Sequence, residues 1–422
     1  MLPRYAGALR RPIVAPPSDA SDFYAPFDDL GAGEANLVLT RGTGSATFTR
    51  ATAATTVLST GLIGDVATGV ARSRYDPASL TYQGYFGEQS ATNVCLQSED
   101  FETTWAAIGS VTITGATDTC GVVSLSTLDD SSAAELQGVS QAITFTGNAV
   151  KSLSLFFKQG TSSSSVIRLR DESAGADRLL AAITWSGGVP TVTMTTGTLL
   201  QTAGPFGASG VYRAEMLTTS ATAANTNRLE LYPATDAALD VGGTGTIICG
   251  GVMACNEANS KSFSYIKTTT ASVTRNSDAL SYTSDNISAS EGTVYAECSV
   301  TGPGTTSNCF FIDGGSFSAG GLIVYGGGGA ALTTIAMDDG PTLVTKTGLT
   351  SLLTGVRKRA SRWGGSTMSI TGDGATVETG TFDGAMTATS VRIGVANSCQ
   401  CVKEVNIWLT DQGDAFIESE TA

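Results

Sequence analysis

Arg228-Leu-Glu-Leu-Tyr232 alternates polar and apolar side chains with period two. In an extended chain that pattern puts both leucines on one face and the charged residues on the other. Ser152-Leu-Ser-Leu155 and Thr191-Val-Thr-Met194 have the same form, and Ser/Thr/Gly-rich turns such as Gln159-Gly-Thr-Ser-Ser-Ser-Ser164 separate such runs. Short strands spaced roughly 8–12 residues apart are the signature of a β-sandwich or barrel. A second set begins near residue 290 with Gly292-Thr-Val-Tyr-Ala296 and continues through Phe310-Phe-Ile312, Gly321-Leu-Ile-Val-Tyr325, Met368-Ser-Ile370, Val391-Arg-Ile393 and Val405-Asn-Ile-Trp408. Asp373-Gly374 lies between alternating segments and predicts a hairpin. The polar stretch Thr268–Asp278 separates the two sets, which are not copies of one another.

Composition supports the same class. Only 15% of the 422 residues are charged, and glycine contributes 50. Long charged side chains, which normally solvate surface helices, are scarce. The expected fold is all-β: tandem jelly-roll β-sandwiches with an extended N-terminal arm.

The formal charge of −14 argues against nucleic acid as a partner, because phosphate binding depends on lysine and arginine. No apolar run reaches the roughly 18 residues of a membrane span, and no apolar stretch follows the basic N-terminus as in a signal peptide. Synthesis in the cytosol and no membrane insertion are therefore expected. Buried free thiols are the expected state of the eight cysteines, most of which sit in apolar contexts.

The chain contains no histidine. Imidazole acid–base catalysis, Ser-His-Asp and Cys-His nucleophiles and most zinc sites are thereby removed. Carboxylate chemistry is left. A retaining glycosidase needs two carboxyl groups about 5–5.5 Å apart. A strand meets this with acids at i, i+2 and i+4, and no such triple occurs. Ser98-Glu-Asp-Phe-Glu102 has acids at another spacing, and Asp129-Asp130, Asp171-Glu172 and Asp338-Asp339 are adjacent pairs that read as turns. Asp313, Asp338, Asp339, Asp373 and Asp383 are conceivable calcium ligands, but beside glycine they read first as turn residues. No catalytic residue, metal site or cofactor is expected. For a glycan, the least core-committed aromatic platform is Trp363, between Arg362 and Gly364.

Residues 1–35 read as an arm. Pro3, Pro12, Pro16, Pro17 and Pro26 keep it extended, and Phe23, Tyr24 and Phe27 are apolar anchors for docking on another subunit.

Three ordered stretches resemble a family of modular structural proteins of tailed bacteriophages, found in tail fibres, tail spikes and head decoration. The first is Ala46-Thr-Phe-Thr-Arg-Ala-Thr-Ala-Ala-Thr55. The second runs from Ser73-Arg-Tyr-Asp-Pro77 through Gly84-Tyr-Phe-Gly-Glu88 and Thr92-Asn93 to Ser98-Glu-Asp-Phe101 and Trp105. The third is Gly210-Val-Tyr-Arg213, Ser264-Tyr-Ile-Lys-Thr-Thr269 and Val273-Thr-Arg-Asn-Ser-Asp278. Two positions depart from the family pattern: Ala91 replaces an arginine, and Lys267 replaces a proline.

The resemblance implies a connecting region at 36–95, a carbohydrate-binding-module-like sandwich at 96–275, and a concanavalin/laminin-G-like jelly roll at 280–418. It further implies a non-enzymatic virion component: a spike, fibre or decoration protein that is made in the host cytoplasm. The arm would join other virion proteins, the chain would form a homo-oligomer (a trimer), and the surface would adsorb to host polysaccharide. A glycosidase or lyase on the same scaffold, and a purely structural adaptor, are the alternatives.

Overall fold

The structure is a computed structural model that describes residues 21–257, 263–300, 307–313, 321–326, 334–339, 341–351, 355–383, 386, 390–393 and 399–422. The fold is all-β, with antiparallel pairing throughout the larger sheets and a single short α-helix, Asp414–Thr421, among the described residues.

Two six-stranded sheets form the first sandwich. One runs Ala106–Ile108, Gly138–Ile143, Asn227–Tyr232, Ser164–Asp171, Ala176–Ser186, Val189–Thr196; the other runs Thr112–Cys120, Val123–Asp130, Gly245–Ala254, Ser152–Gln159, Tyr212–Leu217, Thr198–Ala203. Their facing sides share one core, to which Ile167, Leu229 and Leu231 come from the first sheet and Leu128, Leu153 and Cys249 from the second. Alternation behaves as the sequence dictates in the edge strand, where Thr191 and Thr193 are exposed and Val192 and Met194 turn toward the core. It fails in Ser152-Leu-Ser-Leu155, all four of which are buried. The outer face of that sheet is covered: Val57 and Ile63 of the hairpin Ala54–Val57/Ile63–Val66 pack with Val123, Leu125, Phe156 and Tyr265, and Ala91, Phe263 and Ile266 pack with Met253 and Cys255.

The second sandwich takes strands from both ends of the chain. Its larger sheet runs Asp29–Gly31, Glu34–Ala35, Arg72–Tyr75, Tyr82–Glu88, Cys399–Trp408, Gly292–Val300, Arg357–Gly364, Thr367–Gly372, Glu378–Thr381. Cys399–Trp408 is bordered on one side by two segments in succession, with Val402 opposite Tyr85 and Ile407 opposite Phe23. The smaller sheet runs Leu343–Lys346, Ile335–Asp338, Gly321–Gly326, Ser307–Asp313, Ser390–Ile393, Ala279–Thr283, Thr47–Thr49. Between them lies a core that includes Val294, Trp363, Ile370 and Ile407 from one sheet and Leu280, Met337 and Val391 from the other. The expected hairpin at Asp373-Gly374 joins Thr367–Gly372 to Glu378–Thr381.

Two sequence expectations change here. The connecting region 36–95 has no sheet system of its own apart from one hairpin; Thr47–Thr49, Arg72–Tyr75 and Tyr82–Glu88 belong to the second sandwich. The 94–275 segment is thus an insertion between strands of that sandwich. Local alternation identifies a strand but not its distant neighbour, so a linear division into blocks could not foresee this.

The arm changes as well. Residues 1–20 lie outside the described residues, but Phe23 and Phe27 are wholly buried within their own chain. Phe23 meets Tyr282 edge to face at 5.3 Å, and Phe27 packs on Tyr85 at 5.8 Å. Tyr24 is half-buried and donates to Glu404 Oε2 at 3.3 Å. The three aromatics anchor a strand to its own sheet and are not free to dock on another subunit.

Candidate functional site

Residues of the three motif stretches, together with Arg72, which precedes the second and which the motif reading did not single out, converge on one buried junction between the sandwiches. Arg50 follows strand Thr47–Thr49, Arg72 and Glu88 come from neighbouring strands, and Ser264, Arg275 and Asp278 lie on the return from the inserted sandwich. Arg50 Nη1 contacts Asp278 Oδ1 at 2.8 Å, and its other donors reach the carbonyls of Thr52 and Ala67, each at 2.7 Å. Arg72 pairs with the other oxygen of Asp278 and, at 2.9 Å, with Glu88 Oε2. It also donates to the Thr55 carbonyl at 2.8 Å. Ser264 donates its backbone N–H to Glu88 Oε1 at 2.7 Å and its hydroxyl to Oε2 at 2.5 Å. Arg275 sits 3.6 Å from Glu88 and 3.7 Å from Asp278.

All five charged side chains are sealed from solvent. Burial alone would raise the Glu88 pKa, but Arg275, Arg72 and the Ser264 hydrogen bonds outweigh it and hold the carboxyl at about 2. Burial, followed by the neighbouring Arg72 guanidinium, lowers Arg50. Three cations against two anions, with most remaining donors placed on carbonyls, make the cluster a structural lock. Neither carboxylate is open to a substrate.

The other motif residues extend this junction. Asn93 is fully buried; its amide donates to the carbonyls of Val252 and Ile266, and its oxygen accepts from the backbone N–H of Cys95 and Ala254. Arg213 pairs with Glu215 at 2.8 Å over the Phe156 ring. The two departures have local consequences. Ala91 stands in register with Arg275, so an arginine there would bring another cation beside the cluster. Lys267 Nζ reaches Glu99 Oε2 at 2.6 Å, a bond that proline could not make.

Next to Lys267 an open cleft of about 520 Å³ faces solvent. Gln97–Glu102 forms one wall, Lys267–Thr269 another, and Ser124 and Ser126 with the bulged strand at Gly115-Ala116 complete it. Such bulges re-aim side chains at the edges of sheets. The wall is set by a chain of hydrogen bonds: the Thr268 N–H donates to Ser98 Oγ at 3.0 Å, Ser98 and Tyr265 hydroxyls lie 2.7 Å apart, and Tyr265 donates to Glu99 Oε1 at 2.9 Å. Burial and the Glu99 charge push the Tyr265 hydroxyl well above its ordinary pKa, so it stays a neutral donor. Trp105 donates to the Gln97 carbonyl at 3.2 Å and packs edge to face on Phe101, backing the wall from within. Hydroxyls, a carboxamide, a lysine and carboxylates thus line a concave surface that can exchange hydrogen bonds with a polar, hydroxyl-rich ligand. Glu99 is already bonded to Lys267 and Tyr265, which suits it to binding more than to proton transfer.

Trp363, expected as the platform, is not at this surface. It is wholly buried, its indole N–H donates to the Ser288 carbonyl at 3.1 Å, and its ring lies where a side chain at Gly292 would have to go. Trp363 points into the core between the sheets, while its neighbour Arg362, also buried, pairs with Asp411 at 2.9 Å and with Asp414. Trp105 and Trp408 are also buried, and Trp185 is half-buried against Phe157. Two parts of the cleft, Ser98–Phe101 and Lys267–Thr269, stand in motifs, but Ser124, Ser126 and Gly115-Ala116 carry none, and only long-range pairing brings the three together. Asp373 pairs with Arg359 at 2.7 Å, and Asp339 accepts from the Thr342 and Asp383 N–H groups. The Asp313 side chain lies outside the described residues. No grouping of three or more metal-ligating side chains occurs among the described residues.

No protein-family model matches the chain, and no curated protein matches it.

Proposed function

We propose that this protein is a non-enzymatic structural component of a tailed-bacteriophage particle, a spike, fibre or decoration protein that projects β-sandwich domains and adsorbs to host-surface glycan. One observation carries the reading. The residues by which the sequence resembles phage structural modules (Arg50, Glu88, Asn93, Ser264, Arg275 and Asp278) are the ones that bind the inserted sandwich to the sandwich holding it. Such an arrangement suits a rigid projecting element, with the inserted carbohydrate-binding-module-like sandwich as the displayed part. The cleft beside Lys267 is the adsorption surface in this reading, and a homo-oligomer on the particle is its assembly.

Immunogold labelling of phage particles with antibody to this chain tests the location: label on particles supports the reading, and purified particles without label end it. A glycan array with the wild-type chain and with Thr269→Trp, whose exposed side chain lines the cleft, tests the surface. Binding lost in the variant supports adsorption there. Release of new reducing ends from host polysaccharide would replace the proposal with the enzymatic alternative.

A further inference from the structure

The first sandwich has two flanks, and they are built differently. On one flank the edge strands are Ala106–Ile108, three residues long, and Thr112–Cys120, interrupted by a bulge and carrying the Asp118–Lys158 ion pair at 2.7 Å. These are the ordinary devices that stop sheets from adding further strands. On the other flank the edges are Val189–Thr196 and Thr198–Ala203, one from each sheet, joined at Gly197. From Leu179 to Tyr212 the sequence contains no charged residue.

Val189–Thr196 is the strand that stands out. It pairs with Ala176–Ser186 on one side, regularly from Val189 to Met194, and has no strand on its other side among the described residues. Pro190 removes one donor at its start and the register shifts between Met194 and Thr196; the run Thr191–Met194 between them carries neither proline, bulge nor charge. Val189 is 55% exposed, and Thr191 and Thr193 point to solvent. The edge strands of the second sandwich are all shorter, at three or four residues: Asp29–Gly31, Glu378–Thr381, Leu343–Lys346 and Thr47–Thr49.

We propose that this flank is where copies of the chain join edge to edge. The net charge of −14 makes copies repel over most of their surface, and the uncharged strip is where approach escapes that cost. The two edges run antiparallel to each other, so a neighbour's hairpin can extend a sheet with antiparallel bonds in either case. The occupant is a second copy of this chain; the inference rests on the homo-oligomer in the reading above but not on the particle location.

Sedimentation of the full chain at micromolar concentration tests it, alongside Thr191→Lys/Thr193→Lys, whose sites are exposed and leave the fold intact. Wild-type protein is expected to sediment as an oligomer and the double variant as a monomer with unchanged circular dichroism. A monomeric wild type overturns the proposal, as does an oligomer that survives the double variant. Immunogold labelling is independent of both results, so failure of this interface and failure of the virion reading are distinguishable.

Discussion

Arg72 and Asp278 stand 206 residues apart in sequence and form an ion pair in which both side chains have no solvent exposure. Between them in the chain lies the whole inserted sandwich. Breaking a buried ion pair costs about 3–5 kcal/mol: without Asp278 three guanidinium groups face one carboxylate, and without Arg72 both carboxylates lose their nearest guanidinium. Arg72→Met and Asp278→Asn are therefore expected to lower stability by that order, read as a shift in the urea midpoint. Because the pair spans the insertion, both sandwiches should unfold earlier. A variant in which near-UV signals of one sandwich shift and those of the other do not would contradict the lock.

The strands of the first sandwich were legible because burial on one face prints period two on the sequence, as Arg228–Tyr232 and Thr191–Met194 do. Residues 23–35 were not. Phe23 and Phe27 are equally good anchors for a foreign subunit or for a strand opposite Ile407, and nothing local distinguishes a partner 384 positions away from one on another chain. Trp363 misled for a related reason. Flanking Gly364-Gly365 and Arg362 resemble a loop, whereas here Gly364 leaves room for the Asp411 side chain, Gly365 takes the positive φ of a tight turn, and Arg362 is tied to Asp411 and Asp414. The charged motif residues were visible as a pattern, but only long-range pairing shows that they meet.

Acid should loosen the junction over a defined range. Glu88 ionises near 4.5 in an unfolded chain and at about 2 in the folded one. A depressed folded value adds stability above the unfolded pKa, and that contribution disappears as the pH falls through the folded value. Stability should thus decline between about pH 4.5 and 2 more steeply in wild type than in Glu88→Gln, which has no proton to take up there. Urea midpoints measured across that range for both proteins check this; parallel curves would refute it. At neutral pH the variant should be the less stable, since Arg72 and Arg275 lose a charged partner.

Thiol accessibility follows from burial. Cys95, Cys120, Cys249, Cys255, Cys298 and Cys401 are buried and free. Burial pushes Cys95, Cys249 and Cys255 far above the ordinary thiol range and Cys120 and Cys401 up to about 11. The thiolate is the reactive form, so all six should resist alkylation in the native state. Iodoacetamide labelling followed by intact mass should add at most two of the eight possible groups before denaturation and all eight after it. Three or more additions to the native chain would place one of the six at the surface.

Glu404 should behave in the opposite sense to Glu88. It lies directly across the strand pair from Glu297, it accepts the Tyr24 hydroxyl at 3.3 Å, and Lys403 is committed to Glu297 at 2.7 Å. Burial first, and then the Glu297 charge, raise its pKa. With a raised folded value, the associated stability is present at low pH and is lost as the pH rises through that value. Like charges facing each other across strands cost a few tenths to about 1 kcal/mol. Glu404→Gln keeps the hydrogen-bonding shape and removes the charge. It is expected to stabilise the protein by that amount at pH 7 and to have no effect once wild-type Glu404 is protonated. Thermal unfolding of the two proteins at neutral and at acidic pH measures the difference. A variant that is less stable than wild type at pH 7 would mean that the Glu404 charge, and not only its shape, holds the strand Phe23–Ala25 in place.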